Sequence, residues 1–115
     1  MGRSPAVFEA LAAPRRRTVC RYVAATDDTV VILRELATYA LTDERNERDR
    51  SVADREADRR ILVELHHRHL PKLADADVLQ YDADQKLVRA GPNLSIADEL
   101  VRTWQKHTED VAPQL

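Results

Sequence analysis

The sequence has few of the residues that loop-rich, fibrous or disulfide-bonded proteins need. Two glycines and five prolines in 115 residues argue against a loop-rich, all-β or fibrous chain. Cys20 is the single cysteine, which excludes an internal disulfide and a cysteine-rich metal site. The longest purely apolar stretch, residues 30–33, is far shorter than the roughly 18 residues that a membrane-spanning helix needs. The first residues also lack the apolar core of a signal peptide, and we therefore expect a small cytoplasmic protein.

The motifs of common enzymes are missing as well. The sequence contains no glycine-rich phosphate loop, no nucleophile elbow and no pair of carboxylates beside a plausible pocket. A chain of this length forms one modest core, which leaves little room for catalytic machinery. We therefore expect no enzymatic activity and no cofactor.

Arginine and aspartate dominate the charged residues. Of the 18 basic residues 15 are arginine, of the 20 acidic residues 12 are aspartate, and the net charge is −2. This bias resembles the composition of proteins from salt-loving archaea. In molar salt the Debye length falls to about 3 Å, so a weakly acidic total does not argue against nucleic-acid binding.

The spacing of apolar residues predicts three helices and one strand in the first 41 residues. Ser4 and Pro5 suit the start of a first helix, Pro14 ends it or begins the second, and residues 29–31 form a short β-branched strand. The apolar faces of these three helices are Val7, Phe8 and Leu11, then Val19, Cys20, Tyr22 and Val23, then Leu33, Leu36, Ala37, Ala40 and Leu41.

A charged segment separates the third helix from a long fourth helix. Residues 42–50 contain no apolar side chain and are either a solvated loop or a polar helical extension. Ser51 and Asp54 have the spacing of a capping box, and Pro71 should bend or restart the helix near its end. The apolar stripe of this helix is Ala57, Ile61, Leu62, Leu65, His69, Leu70 and Leu73.

A hairpin and a last helix complete the chain. Residues 78–82 and 86–90 are strand-like, Gly91 to Asn93 end the hairpin, and Ser95 caps the last helix. The apolar stripe of that helix is Ala97, Leu100, Val101, Trp104 and Thr108. The sequence thus predicts a mainly α fold with a small β-sheet, in the order of a winged helix-turn-helix: three core helices, a β-hairpin wing and an extra C-terminal helix. We assign residues 1–90 to the winged domain and residues 91–115 to the C-terminal helix.

Two segments resemble a known family. Residues 11–23, LAAPRRRTVCRYV, are similar to the opening of ArsR-type winged-helix repressors. Residues 67–79, HRHLPKLADADVL, are similar to the end of their recognition helix and its turn into the wing. The His-x-His-Leu-Pro-Lys-Leu pattern is most similar to winged-helix domains of halophilic archaea. The resemblance implies a transcription regulator that binds double-stranded DNA as a homodimer.

Candidate DNA-binding residues lie on the long helix and on the wing. The groove-facing positions that the resemblance implies are Val63, Glu64, His67 and Arg68. Repressors of that family usually carry Gln, Ser, Thr or Arg at such positions, because these side chains can donate to base edges or phosphates. We predict DNA contacts from Arg55, Arg59, His67, Arg68, Lys86 and Arg89. The alternative for each arginine is a solvated face, because residues 43–60 carry six positive and seven negative charges.

A second function class stays open. Glu64 would repel phosphate, Val63 offers only an apolar contact, and Pro71 kinks the same element. These features favour a winged-helix module that binds another protein and has lost DNA binding.

The last helix predicts a dimer. Leu100, Val101 and Trp104 need burial, and the winged domain is nearly complete before residue 91. A partner's equivalent helix would bury them with Trp104 as the anchor. The alternative is that this helix folds back on the first helix of its own chain.

Three histidines near the end of the long helix raise the question of a metal. His66 and His69 are three residues apart and could face one zinc or nickel ion, but no third ligand follows at a motif spacing. We therefore predict no metal site. We expect His69 to pack in the core with a ring nitrogen bonded to a backbone carbonyl.

Overall fold

A computed structural model describes residues 3–44 and 52–111 of the chain. The helices are α1 (Arg3–Ala10), α2 (Pro14–Ala25), α3 (Leu33–Glu44), α4 (Val52–Glu64), α5 (Leu70–Asp75) and α6 (Leu94–Val111), and a π-helical turn (Leu65–His69) joins α4 to α5. The strands are β1 (Val31–Ile32), β2 (Leu79–Asp82) and β3 (Leu87–Ala90). The predicted mainly α fold with a small sheet is confirmed. Ser51 and the residues from 45 to 50 lie outside the described ranges.

Two arginines of α2 hold the end of α1. Ala13 has an extended backbone and Pro14 begins α2, so the chain turns sharply after α1. The last carbonyls of a helix have no partner inside the helix. Here the Arg16 guanidinium donates to the carbonyl of Ala10, and the Arg17 guanidinium donates over 2.8 Å to the carbonyl of Leu11. The arginine-rich start of α2 therefore fixes the angle between the first two helices.

One apolar core connects the helices with the inner face of the sheet. The predicted stripes of α2 and α3 supply Val19, Cys20, Val23, Leu33 and Leu36, all of them buried. The largest side chains with less than 2% exposure also include Leu65, Leu70, Leu73, Leu79, Val7, Val31, Val78, Val88 and Val101. Phe8 departs from the prediction, because its side chain is 60% exposed while Val7 and Leu11 of the same helical face are buried.

The π-helical turn changes the phase of the long helix. The Leu70 N–H donates to the carbonyl of Leu65, five residues earlier, and Pro71 lies in the first turn of α5. In a regular α-helix two residues five positions apart point in different directions. The extra residue in the turn lets Leu65 and Leu70 both reach the core, where each is fully buried. The helix restarts beside Pro71, as predicted.

The strands form an antiparallel sheet in the order β1-β3-β2. Val88 of β3 pairs with Val31 on one side and with Tyr81 on the other, which places β3 in the centre. The strand predicted at residues 29–31 is shifted and covers Val31 and Ile32. In the turn between β2 and β3, the Asp82 carboxylate accepts hydrogen bonds from two backbone N–H groups, and Lys86 has a φ of 57°.

Asn93 ties the start of α6 to the end of α5. Its backbone N–H donates to the carbonyl of Asp77, and its side-chain amide donates over 2.9 Å to the carbonyl of Ala76. The prediction that Ser95 caps this helix is wrong, because α6 begins at Leu94 and Ser95 lies inside it. Asp98, the expected partner of that cap, instead accepts a hydrogen bond from Arg21 of α2.

Helix α6 packs against α2 of the same chain. Asp98 is nearly buried and pairs with Arg21 of α2 at 2.9 Å and with Arg102 at 3.2 Å. Val101 is 1% exposed, so the expectation that it needs a partner helix for its burial is wrong: its own chain already covers it. The alternative fold-back onto the first helix is also not what occurs, because the main neighbour is α2. Within residues 3–44 and 52–111, no helix is both long and apolar enough to span a lipid bilayer.

Candidate nucleic-acid interface

A groove lies between the long helix and the turn of the hairpin. We call it the wing groove; it has a volume of about 400 Å³ and is lined by Ile32, Leu33, Arg34, Leu62, Val63, His66, His67, Gln85 and Lys86. The β1–α3 junction forms its floor, and the end of α4 and the β2–β3 turn form its two sides. The structure thus brings together His67 and Lys86, two of the residues predicted to bind DNA.

The wing groove has a positive lining. Arg34 and Lys86 are exposed cations of this lining, His66 and His67 line the same groove, and none of its nine lining residues is acidic. This differs from the chain as a whole, in which acids outnumber lysine and arginine. A groove that contains cations and no carboxylate suits a negatively charged ligand.

Acidic residues next to the wing groove are turned toward other partners. Glu64 accepts a hydrogen bond from Arg15 of α2 at 2.7 Å, and its side chain is only 36% exposed. Glu35, beside Arg34, accepts a hydrogen bond from the hydroxyl of Tyr22, which raises the pKa of that tyrosine to about 12. Glu64, at a position that the resemblance predicts to face DNA, is thus ion-paired with Arg15 of α2.

The outward face of α4 continues from the groove. Arg59 lies one helical turn before Val63, and both are exposed, as is Arg60. Arg55 lies one further turn toward the start of α4, and its side chain lies outside the described residues. The exposed part of the long helix thus carries charges of both signs, with Glu56 near Arg59 and Arg60, and continues to Val63 and His67.

His66 fixes the end of the long helix to the sheet. Its Nδ1 is 2.6 Å from the hydroxyl of Tyr81 on β2, and its ring meets the rings of Tyr81 and His67 edge-on. The pKa of Tyr81 is raised by burial and, to a smaller extent, by Asp82. His66 therefore positions one side of the wing groove, and His67 lies beyond it with an exposed side chain.

His69 has a different environment from His66. It is 6% exposed, and its Nδ1 lies 3.1 Å from the Arg16 guanidinium. An arginine can only donate, so this nitrogen accepts and the imidazole is neutral. Burial, Arg16, Arg15 and Arg68 lower the pKa of His69, and Glu64 opposes them. The prediction of core packing is confirmed, but the expected carbonyl partner is wrong.

His66 and His69 have different hydrogen-bond partners, which argues against the hypothesis that they bind one metal ion together. Tyr81 holds one ring against the sheet, and Arg16 holds the other in the core. The two histidines therefore do not converge on one ion. No cluster of three or more His, Cys, Asp or Glu suited to a metal occurs in the part of the chain that the structure describes.

The remaining predicted DNA contacts lie away from the wing groove. Arg89 is exposed on β3 and lines another groove, together with Thr26, Thr29 and Gln80. Arg68 is exposed close to Arg16, whose pKa is lowered by burial and, to a smaller extent, by Arg68. Neither residue lines the wing groove.

Sequence analysis missed two lining residues. Arg34 follows β1 at the start of α3, and Ile32 belongs to β1 itself. The sequence feature that could have identified them is their place in or next to β1. This strand pairs with the hairpin, and the pairing brings both residues next to the wing.

A second, apolar groove lies between α1 and α6. We call it the terminal groove; it has a volume of about 570 Å³ and is lined by Phe8, Leu11, Ala12, Arg17, Leu100, Val101, Thr103 and Trp104. Trp104 is 51% exposed, and the Arg17 guanidinium lies 4.3 Å from the centre of its ring. Leu100 is half-buried. All three predicted dimer residues, Leu100, Val101 and Trp104, thus line the groove that contains the unexpectedly exposed Phe8, although Val101 itself is buried.

The fold and the wing groove define a mainly α protein with a small three-stranded antiparallel sheet, in an element order that agrees with a winged-helix arrangement. Residues 8–89 match the family described as Domain of unknown function (DUF7344). This stretch is more than two-thirds of the 115 residues, and the chain belongs to that family. No curated protein and no solved structure matches the chain.

Proposed function

We propose that this protein is a winged-helix transcription regulator that binds double-stranded DNA as a homodimer. The observation that carries the proposal is the wing groove, in which Arg34, His67 and Lys86 lie together without an acidic lining residue. The resemblance to ArsR-type repressors at residues 11–23 and 67–79 supports the same function. A regulator of this kind works in the cytoplasm and needs neither an enzymatic activity nor a cofactor.

The arrangement suits a duplex for two reasons. An α-helix fits the major groove of B-DNA, and the exposed face of α4 offers Arg59 and Arg60 to phosphates on either side. The β2–β3 turn extends beside the helix and presents Lys86 to the sugar–phosphate backbone. Binding to phosphates releases counterions, so affinity should fall steeply with salt.

The test measures duplex binding against salt concentration for the full chain. Wild-type protein should give a steep negative slope of log affinity against log salt, and Arg59→Ala, Arg34→Ala and Lys86→Ala should each make that slope shallower by about one unit. Lys106→Ala, an exposed cation on α6, is the matched control and should leave the slope unchanged. Failure to bind any duplex at every salt concentration at which the protein stays folded would sink the proposal.

The homodimer is supported by the terminal groove. Phe8, Leu100 and Trp104 present apolar surface on one side of the molecule, and large aromatic side chains commonly anchor protein interfaces. A twofold axis through this groove would let each copy cover the other. Sedimentation should give the mass of two chains for the wild type and of one chain for Trp104→Ala. Ile96→Ala, which removes another exposed apolar residue of α6 outside the groove, should remain a dimer. An unchanged mass in Trp104→Ala would contradict this assignment.

A protein-binding module is the second candidate, and one observation favours it. Ile32 and Val63 are half-exposed apolar residues in the wing groove, which a partner protein could cover. If the folded wild-type protein binds no duplex, the wing groove is better interpreted as a protein interface.

A further inference from the structure

The apolar residues of the wing groove have no role in attraction to phosphate. Val63 is 50% exposed on the outward face of α4, and Ile32 is 53% exposed on the adjoining strand. Charged or polar residues surround them: Arg59 one turn before Val63, and His67 and Lys86 within the groove. An apolar patch beside the cations Arg34, Arg59 and Lys86 matches a ligand with an apolar group set among negative charges.

The major groove of DNA presents one apolar group, the 5-methyl group of thymine. The other groups on the base edges donate or accept hydrogen bonds, which a valine side chain cannot satisfy. Placing Val63 against such an edge would remove water from polar atoms without replacing the lost hydrogen bonds. The 5-methyl group of a pyrimidine is the one group on the base edges that Val63 can cover without leaving a polar atom short of a hydrogen bond.

We propose that Val63, with Ile32 beside it, is a specificity-determining residue that selects 5-methylated pyrimidines in the bound duplex. The inference rests on the proposed DNA-binding function and adds the chemistry of the readout. Thymine and 5-methylcytosine are both ligands of this kind, because both carry a 5-methyl group at the same place in the major groove. Arg59 and Lys86 then supply affinity for any sequence, and Val63 supplies the preference.

The experiment compares four alternating duplex copolymers with the full-length protein. Poly(dA–dT) should bind more tightly than poly(dA–dU), which differs by the 5-methyl group alone. The difference should be about fourfold for each methyl group that Val63 covers, as for the burial of one CH₂ or CH₃ group. Poly(dG–5-methyl-dC) should exceed poly(dG–dC) by a similar factor, which separates the methyl group from the identity of the base pair.

Two variants test whether Val63 causes the preference for methylated duplexes. Val63→Ala should bind poly(dA–dT) and poly(dA–dU) equally, at the level of wild-type protein on poly(dA–dU), and should keep the wild-type salt slope. Ile96→Ala, equally exposed but on α6, should keep the methyl preference. Equal binding of the methylated and unmethylated copolymers by the wild type would overturn the inference and leave the proposed function standing. If none of the four copolymers binds, both the inference about Val63 and the proposed DNA-binding function are overturned.

Discussion

Arg15 and Glu64 form an ion pair of 2.7 Å between α2 and the last turn of α4, across 49 positions of the chain. The two side chains are 19% and 36% exposed, so the pair is partly shielded from water. It joins the carboxylate at one of the predicted groove-facing positions to α2. The pair thereby balances the charge of Glu64 next to the wing groove, whose lining contains no acid.

The first prediction concerns that pair. Glu64→Gln should lower the free energy of unfolding by about 1 kcal/mol, because a partly buried charge-assisted hydrogen bond is weakened. A double-mutant cycle with Arg15→Gln, followed by urea denaturation, should give a coupling energy of about 0.5–1 kcal/mol. A coupling energy of zero would mean that the pair makes no contribution to stability.

The second prediction concerns pH. The pKa of His69 is lowered by burial and by Arg16, Arg15 and Arg68, against the opposing effect of Glu64. As the pH falls below the ordinary value of 6.5, the unfolded chain takes up a proton first. Stability from this residue is therefore complete above pH 6.5 and decreases as the pH falls toward the lowered pKa in the folded state.

Urea denaturation at several pH values between 8 and 5 measures this effect. His69→Gln should flatten the dependence on pH in that range, whatever its effect on overall stability. In His67→Gln, His69 and Arg16 stay in place, so the acid-induced loss should persist. A His69→Gln profile as steep as that of the wild type would refute this assignment.

The third prediction concerns Gly91, which lies between β3 and α6. A Cβ atom at this position would come within 2.5 Å of the Asp77 carbonyl oxygen and within 2.8 Å of the Val78 carbonyl carbon. Both atoms belong to the backbone and cannot move aside cheaply. Gly91→Ala should therefore destabilise the protein by about 1–3 kcal/mol in thermal or urea unfolding. Ala90→Ser, at the exposed neighbouring position, should have little effect, and equal stability of the two variants would contradict the steric argument.

The fourth prediction concerns the thiol of Cys20. The residue is fully buried, and burial, followed by the charge of Asp98, raises its pKa to about 12. The thiolate is the reactive form, so a thiol reagent at pH 8 should label native protein far more slowly than protein in urea. Gly91→Ala should accelerate labelling by populating the unfolded state. Rapid, complete labelling of the native wild type would show that the thiol is accessible.

The sequence predicted the helices and the hairpin because their apolar residues repeat at the periods of helix and strand. Leu33, Leu36 and Ala40 follow the helical period and are buried, as expected. Phe8 follows the same rule and is exposed, because α1 lies at the edge of the fold and turns this position toward the terminal groove. Periodicity identifies the apolar face of a helix, but it does not show how much of that face the other elements cover.

The side-chain pairs could not be predicted in this way. Arg16 binds His69 across 53 positions, and many arginines and acids could have formed other pairs of equal chemical quality. Similarly, Lys86 and Arg89 are three residues apart, yet the turn directs Lys86 into the wing groove while β3 directs Arg89 elsewhere. One feature did leave a signal: the five-residue step from Leu65 to Leu70, just before Pro71, is the step that the π-helical turn accommodates.

The side-chain amide of Asn93 determines more than the start of one helix. Its bond to the Ala76 carbonyl links the start of the C-terminal helix to the end of α5, which continues the long helix. In a dimer joined through α6, this coupling would set the distance between the two DNA-reading helices. The number of base pairs that separate the halves of a palindromic operator would then depend on one buried amide far from the DNA.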